Sequence, residues 1–205
     1  KGLCSTDKFL RAILNKENGL LPPKGLLSHV GILESPNYHK LLFLTDMAVL
    51  PLPDFRQKIK QTNFVVKVAK SFGIAKPKVA FLAASEQVLD SMPACMEAAA
   101  LAKMVDRGQI RGCIADGPLA LDVAIDNESV EIKKLVSPVA GDADCLVFPN
   151  IESANVFWKT NSKLSPGVRQ AGMLVGTTAP CILASRADSV DTKLNSIAEA
   201  VMSIL

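Results

Sequence analysis

The chain has 205 residues, 49% of them hydrophobic, which is enough to bury a substantial core in one large domain or two small ones. A net charge of only +3, no dense Lys/Arg tract, one Trp and one Tyr argue against a phosphate-tracking basic face or a base-stacking platform, so nucleic acid is not an expected partner. No apolar run approaches the roughly 20 residues that span a bilayer, and the first residues lack the basic, apolar, small-residue order of a secretion signal. Five cysteines, Cys4, Cys95, Cys113, Cys145 and Cys181, lie far apart without a C-x-x-C pair. They read as reduced, mostly buried thiols, and with the missing secretion signal they predict a cytoplasmic protein. The first residue is Lys1 rather than Met, so a piece of a longer protein is expected.

In chain order, residues 1–39 read as a helix and a loop: Asp7 can cap a helix carrying Phe9, Leu10, Ile13 and Leu14, closed near Gly19 and Pro22. KLLFLT at 40–45 is short and apolar, a buried strand ending at Asp46. Pro51 and Pro53 open a long helix whose apolar positions Phe55, Ile59, Val66 and Ala69 keep helical spacing up to Gly73. The unit repeats in kind: a strand at 78–84 (KVAFLAA), an Ala-rich helix over 92–107, a strand at 110–115 (IRGCIA) and a short helix after Pro118. A strand at 144–148, a helix over 151–163, the apolar residues 173–175 and a last strand at 180–184 (PCILA) follow. The chain closes on a helix with Leu194, Ile197, Val201 and Ile204 on one face. Strands alternating with helices of this length imply right-handed crossovers, hence an α/β fold with a mostly parallel sheet covered on both faces.

Common chemical signatures are missing. There is no phosphate loop of the form G-x-x-x-x-G-K-[ST], no G-x-G-x-x-G after a strand, no nucleophile elbow and no H-E-x-x-H. His29 and His39 fall in a loop-like region without ligand-spaced partners, so no metal is expected. What remains is a set of polar residues at strand ends: Asp46, Glu86, Asp116, Asn150 with Asn155, and the pair Ser185-Arg186. In a parallel sheet these carboxyl ends share one edge and can converge on a cleft, although Asp and Asn there also serve as helix caps. Ser185-Arg186 differs from the others, because a guanidinium fork matches phosphate oxygens and the serine beside it adds a small donor and acceptor.

The stretch GDADCLVFPNIESANVFWK at 141–159, with PKVAFLAASEQV, DGPLALDVAI, PCILASRADSVDTKLNSIAEAV and the opening KGLCSTDKFLRAILN, resembles the phosphate acetyltransferase and phosphate butyryltransferase family. The likeness runs in order over nearly the whole chain and is nearer the butyryl branch, on the SRADS and DGPLALD wording. It implies a three-layer α/β/α arrangement within a two-domain fold like that of isocitrate and isopropylmalate dehydrogenases, with a cleft between domains and a homodimer or higher homo-oligomer. Residues 1–39 would be a remnant of the first domain with its connection, 40–184 the main α/β domain, and 185–205 a C-terminal helix packing on it. Family members start well before the residue matched by Lys1.

The implied activity is transfer of a short-chain acyl group between coenzyme A and inorganic phosphate, with both as substrates and no bound cofactor or metal. Carried over by motif, Ser185 and Arg186 match the family's cleft pair, Arg holding phosphate and Ser contacting the thiol. Arg11 matches a second phosphate contact. The catalytic carboxylate falls a few residues after Ser-Arg, at Asp191 or Asp188, with Asp191 favoured. Thr6, Asn155, Asp188 and Lys159 are the other expected phosphate or coenzyme A contacts. Two positions depart from the pattern: Ser153-Ala154 stands where Ala-Gly is usual, and Asn150 where Asp is usual. These departures leave a second reading, a degenerate homologue that binds coenzyme A or acyl phosphate as a sensor. A third, a decarboxylating dehydrogenase of similar fold, needs an Asp metal cluster and a nicotinamide site that the sequence does not assemble.

Overall fold

The computed structural model describes residues 4–204; residues 1–3, the start of the KGLCSTDKFLRAILN stretch, and Leu205 lie outside the described residues. A six-stranded sheet of order β4-β3-β5-β2-β1-β6 is built from β1 (Ser28–Glu34), β2 (Leu42–Thr45), β3 (Lys78–Leu82), β4 (Ile114–Leu119), β5 (Cys145–Val147) and β6 (Arg169–Val175). Strands β4, β3, β5 and β2 pair in parallel, while β1 is antiparallel to both β2 and β6. Five strands therefore point one way and β1 the other.

Each central strand feeds both faces. In β3, Val79 and Phe81 join one core cluster, while Ala80 and Leu82 join another. Strands buried on both sides read as continuous apolar runs, which is why 40–45, 78–84 and 144–148 stand out in the sequence. Helices α2 (Phe55–Ser71) and α3 (Pro93–Asp106) cover the first face through Val65, Ala69, Ala98 and Leu101. The second face is covered by α4 (Leu121–Ile125), α5 (Asn127–Lys133) and α6 (Ile151–Leu164), through Val123, Ala124, Val130 and Ala154. This is a three-layer α/β/α arrangement. The start of α2 is fixed by a capping box: Asp54 accepts from the Gln57 N–H while the Gln57 side chain accepts from the Asp54 N–H. A buried Lys58 pairs with Glu97 and ties α2 to α3.

At the far end of the parallel strands, Asp142 accepts from Lys40, Lys78 and His39, each at 2.7–2.8 Å, and Asp144 holds Lys40 and the Lys78 N–H. Partial burial pushes the Asp142 carboxyl upward, but its hydrogen bonds to Lys40, Lys78 and His39 outweigh this and hold it well below the usual range. The cluster pins the starts of β2, β3 and β5 together, on the edge away from the strand ends that carry Asp46 and Asn150.

Five local expectations change. The helix at Thr6–Ile13 is capped by Ser5, whose side chain accepts from the Lys8 N–H, while Asp7 lies inside its first turn with its carboxylate bound to Arg11. The strand expected at 110–115 begins only at Ile114, after Gly112 at a φ of +84° breaks the extended run, and continues through Pro118 to Leu119. Residues 28–34 form β1, in register with β2 and β6, rather than a loop. The expected strand at 180–184 makes a single bridge, Cys181 to Leu174. The last helix, α7 (Val190–Met202), buries Ser196, Glu199 and Ala200, whereas Leu194, Ile197, Val201 and Ile204 of the expected apolar face are exposed. Helix α1 (Thr6–Ile13) packs through Ile13 against Leu27 and Leu174. Of the cysteines, Cys95, Cys113, Cys145 and Cys181 are buried free thiols and Cys4 is exposed. Among the described residues no helix is long and apolar enough to cross a membrane.

Glu199 is 1% exposed and, among the described residues, neither carboxyl oxygen has a hydrogen-bond partner, so burial raises its pKa well above the ordinary value. Between the ordinary and the raised value the folded state holds a proton that the unfolded state has released, so stability falls as pH rises through that window. Glu199→Met, of similar volume, is expected to stabilise the fold by about 1–3 kcal/mol, with a larger gain at pH 8 than at pH 5 in urea unfolding. An equal gain at both pH values would mean that the carboxyl is not held neutral.

Candidate functional site

The β2 strand ends at a tight turn organised by Asp46. This carboxylate, 3% exposed, accepts from the Ser28 hydroxyl at 2.8 Å and the His29 N–H at 3.1 Å, both at the start of β1. It also accepts from the N–H groups of Ala48 (2.8 Å), Val49 (2.9 Å) and Leu50 (3.3 Å). Asp46 does not line the adjoining cavity; it shapes the Met47-Ala48 segment that does. Asp46→Ala leaves these buried donors without their acceptor and is expected to cost at least about 3 kcal/mol in urea unfolding. A loss below about 1 kcal/mol would show that the turn finds other acceptors.

Met47 and Ala48 form one wall of a cavity of about 420 Å³. Helix α6 supplies the next wall, with Asn155, Trp158, Lys159, Ser162 and Lys163 facing the cavity at helical spacing. Asn150 does not reach it: its side chain accepts from the Ser153 N–H and caps α6, and Ala154 is buried in the core. Neither position that departs from the family pattern lines the cavity. The Asn155 amide donates to the Met47 carbonyl at 2.9 Å and joins the two walls.

The third wall is the turn at 185–188. The Ser185 N–H donates to Asp188 Oδ2 at 2.6 Å, the Asp188 N–H donates to the Ser185 carbonyl at 3.2 Å, and the Ala187 N–H donates to Ser185 Oγ at 3.3 Å. Ser185, Arg186 and Asp188 are thereby held on one loop, and all three line the cavity. The loop runs into α7, whose N-cap Ser189 accepts from the Thr192 N–H. The helix is anchored to the sheet where Ser196 Oγ accepts from the Gly172 N–H at 3.0 Å and donates to the Thr192 carbonyl at 2.7 Å.

The cavity therefore gathers Ser185, Arg186, Asp188, Asn155, Lys159 and Thr6 from widely separated parts of the chain. Arg11 and Asp191 are not among its lining residues. Arg11 lies on exposed α1 with its Nε bound to the Asp7 carboxylate at 2.9 Å, and Asp191 is exposed in the first turn of α7. Residues not singled out from sequence also line it: His29, Met47, Trp158, Lys163, Thr192, Ser196 and Gly172. Lys163 was accessible in principle, since 155, 159 and 163 form an i, i+4, i+8 stripe. His29 was not, because its place depends on β1.

Arg186, Lys159 and Lys163 set three cationic side chains against the single carboxylate of Asp188, and the first turns of α1 and α7 add Thr6 and Thr192. Positive side chains and helix N-termini together favour an anionic ligand. A second cavity, of about 520 Å³ at 173–180, has Lys67 as its one charged lining residue and offers no comparable charge.

The chain is 48% identical over 202 residues to the phosphate butyryltransferase of Clostridium acetobutylicum, covering 98% of this chain and 66% of that protein. It is 40% identical over 198 residues to the phosphate acetyltransferase of Thermotoga maritima, covering 97% and 67%. Its fold superposes on the crystal structure of a branched-chain phosphotransacylase from Enterococcus faecalis V583 with a TM-score of 0.90 at 33% identity, over 100% of this chain and 72% of that one. The chain thus spans just under two thirds of the length of the Clostridium relative. Residues 1–201 match the phosphate acetyl/butaryl transferase family, and the chain belongs to it.

Proposed function

We propose that the protein is a phosphate acyltransferase, moving a short-chain acyl group between coenzyme A and inorganic phosphate: acyl-CoA + phosphate = acyl phosphate + coenzyme A. The observation that carries this reading is the single cavity in which Ser185, Arg186 and Asp188 stand on one turn beside Lys159 and Lys163. Both substrates are anionic and match that charge. In the direction of thioester formation, a carboxylate takes the thiol proton of coenzyme A, and the thiolate sulfur attacks the acyl carbonyl of the acyl phosphate. The C–S bond forms, the C–O bond to phosphate breaks, and inorganic phosphate leaves with the electron pair. A thiol of pKa about 8.5 is mostly protonated at neutral pH, so a nearby base raises the reactive fraction. Negative charge developing on the carbonyl oxygen and the leaving phosphate is met by Arg186 and by the Ser185 hydroxyl.

Asp188 is the base in this reading, because it lines the cavity next to Ser185, whereas Asp191 does not. Asn155, Lys159 and Thr6 are assigned to phosphate or coenzyme A. Arg11, now paired with Asp7, would join them only by exchanging partners. The proposal extends to a two-domain arrangement of isocitrate dehydrogenase type with a cleft, to a homodimer, and to a cytoplasmic enzyme that uses coenzyme A and phosphate as substrates without a bound cofactor. The test is phosphate-dependent release of free thiol from butyryl-CoA, with acyl phosphate trapped by hydroxylamine. Thiol release that tracks phosphate concentration is expected; none above buffer would overturn the reading.

A further inference from the structure

Two glycines face each other across the β1–β6 ladder: Gly31 pairs with Gly172. Opposite residues of an antiparallel pair point to the same face, so this pair leaves a patch of sheet without side chains. The patch is closely covered. A Cβ on Gly31 would stand 2.8 Å from Trp158 Cζ3 and 2.9 Å from Met47 Cε, and one on Gly172 would stand 2.8 Å from His29 Cε1. His29, Met47 and Trp158 thus approach bare backbone closely, and all three line the cavity from this side together with Ala48 and Leu183. Arg186, Lys159 and Lys163 bring charge to the same cavity from other elements. Burial pulls the His29 pKa down, against Asp46, the Leu183 carbonyl and Asp188, which pull it up, so the imidazole is a neutral surface.

We propose that His29, Met47 and Trp158, seated on the Gly31–Gly172 pair, form the floor that receives the hydrocarbon chain of the acyl group and limits its length. This rests on the acyltransferase reading above and adds a specificity determinant to it. The two glycines act as spacers: they let the indole, thioether and imidazole sink toward the sheet and leave depth for the chain above them. An added Cβ at Gly31 cannot coexist with the present positions of Trp158 and Met47, and their way out is toward the cavity. One methylene in an apolar pocket changes kcat/KM by roughly 10- to 200-fold, so a small rise of the floor is readable.

The experiment compares acyl-CoAs with straight chains of two to six carbons in the intact protein, by calorimetric binding and by phosphate-dependent thiol release. Gly31→Ala is expected to lower the affinity ratio of the longest accepted chain to acetyl-CoA at least about tenfold. Trp158→Phe, which lowers the floor, is expected to raise that ratio for chains one methylene longer, and it keeps the test open if Gly31→Ala fails to fold. Trp158 is the single tryptophan, so its emission should respond to butyryl-CoA and much less to coenzyme A alone. Variants that shift every chain length in parallel, with turnover intact, overturn the floor and leave the activity standing. Chain-length-dependent binding without any phosphate-dependent turnover overturns the activity and leaves the floor standing. A wild-type protein that binds no acyl-CoA overturns both.

Discussion

Replacing Asp188 by asparagine is expected to lower kcat/KM for phosphate-dependent acyl transfer by about 10²- to 10⁴-fold, the range a positioned general base supplies. Asparagine keeps the shape, and its amide oxygen can still accept from the Ser185 N–H, which now lies 2.6 Å from Asp188 Oδ2. The 185–188 turn is therefore retained while the proton acceptor is lost. Asp191→Asn is the internal comparison. Asp191 is exposed in the first turn of α7 and outside the cavity lining. Its loss removes a charge favourable at a helix N-terminus, about 0.3–1 kcal/mol of stability, and should leave turnover close to wild type. The reverse pattern, with Asp191→Asn inactive and Asp188→Asn active, would move the base to Asp191.

Arg186→Ala is expected to lower turnover by about 100- to 1,000-fold, equivalent to about 2.7–4 kcal/mol of transition-state stabilisation. Arg186 is exposed, so its removal should change unfolding stability by no more than about 0.5 kcal/mol, and the lost rate can be assigned to chemistry rather than to folding. Arg186→Lys keeps the charge but not the planar fork, and partial recovery is expected, with a raised KM for phosphate. Near-wild-type thiol release by Arg186→Ala would remove the residue from the anion site and leave Lys159 and Lys163 as its cations.

Much of the scaffold is legible in the sequence. Strands β2, β3 and β5 announce themselves because their side chains are buried on both faces and leave no room for polar alternation. Helix α2 is equally plain, from Pro51 and Pro53 ahead of it to Gly73 after its end, where a φ of +89° suits only glycine well. Ser185 and Arg186 stood out by residue type at a strand mouth. Strand β1 did not, since Ser28 and His29 look like loop residues until Asp46, on the neighbouring strand end, satisfies the Ser28 hydroxyl and the His29 N–H. The opposite error arose at 180–184, which is apolar enough for a strand but leaves β6 after one bridge, because the Gly172 N–H further along that edge is taken by Ser196 of α7.

The sequence by itself determined the α/β alternation, the approximate helix spans and the residue types at the strand ends, because each depends on neighbours a few positions away. Only the tertiary structure decided which of those residues meet. It placed Asp46 in a turn rather than in a cleft, Asp188 rather than Asp191 at the cavity wall, and Glu199 rather than Leu194 in the interior. It also set Gly31 opposite Gly172, a pairing fixed by the register of two strands far apart in the chain and invisible in either segment alone. Register is a property of the assembled sheet, and the cavity floor follows from it.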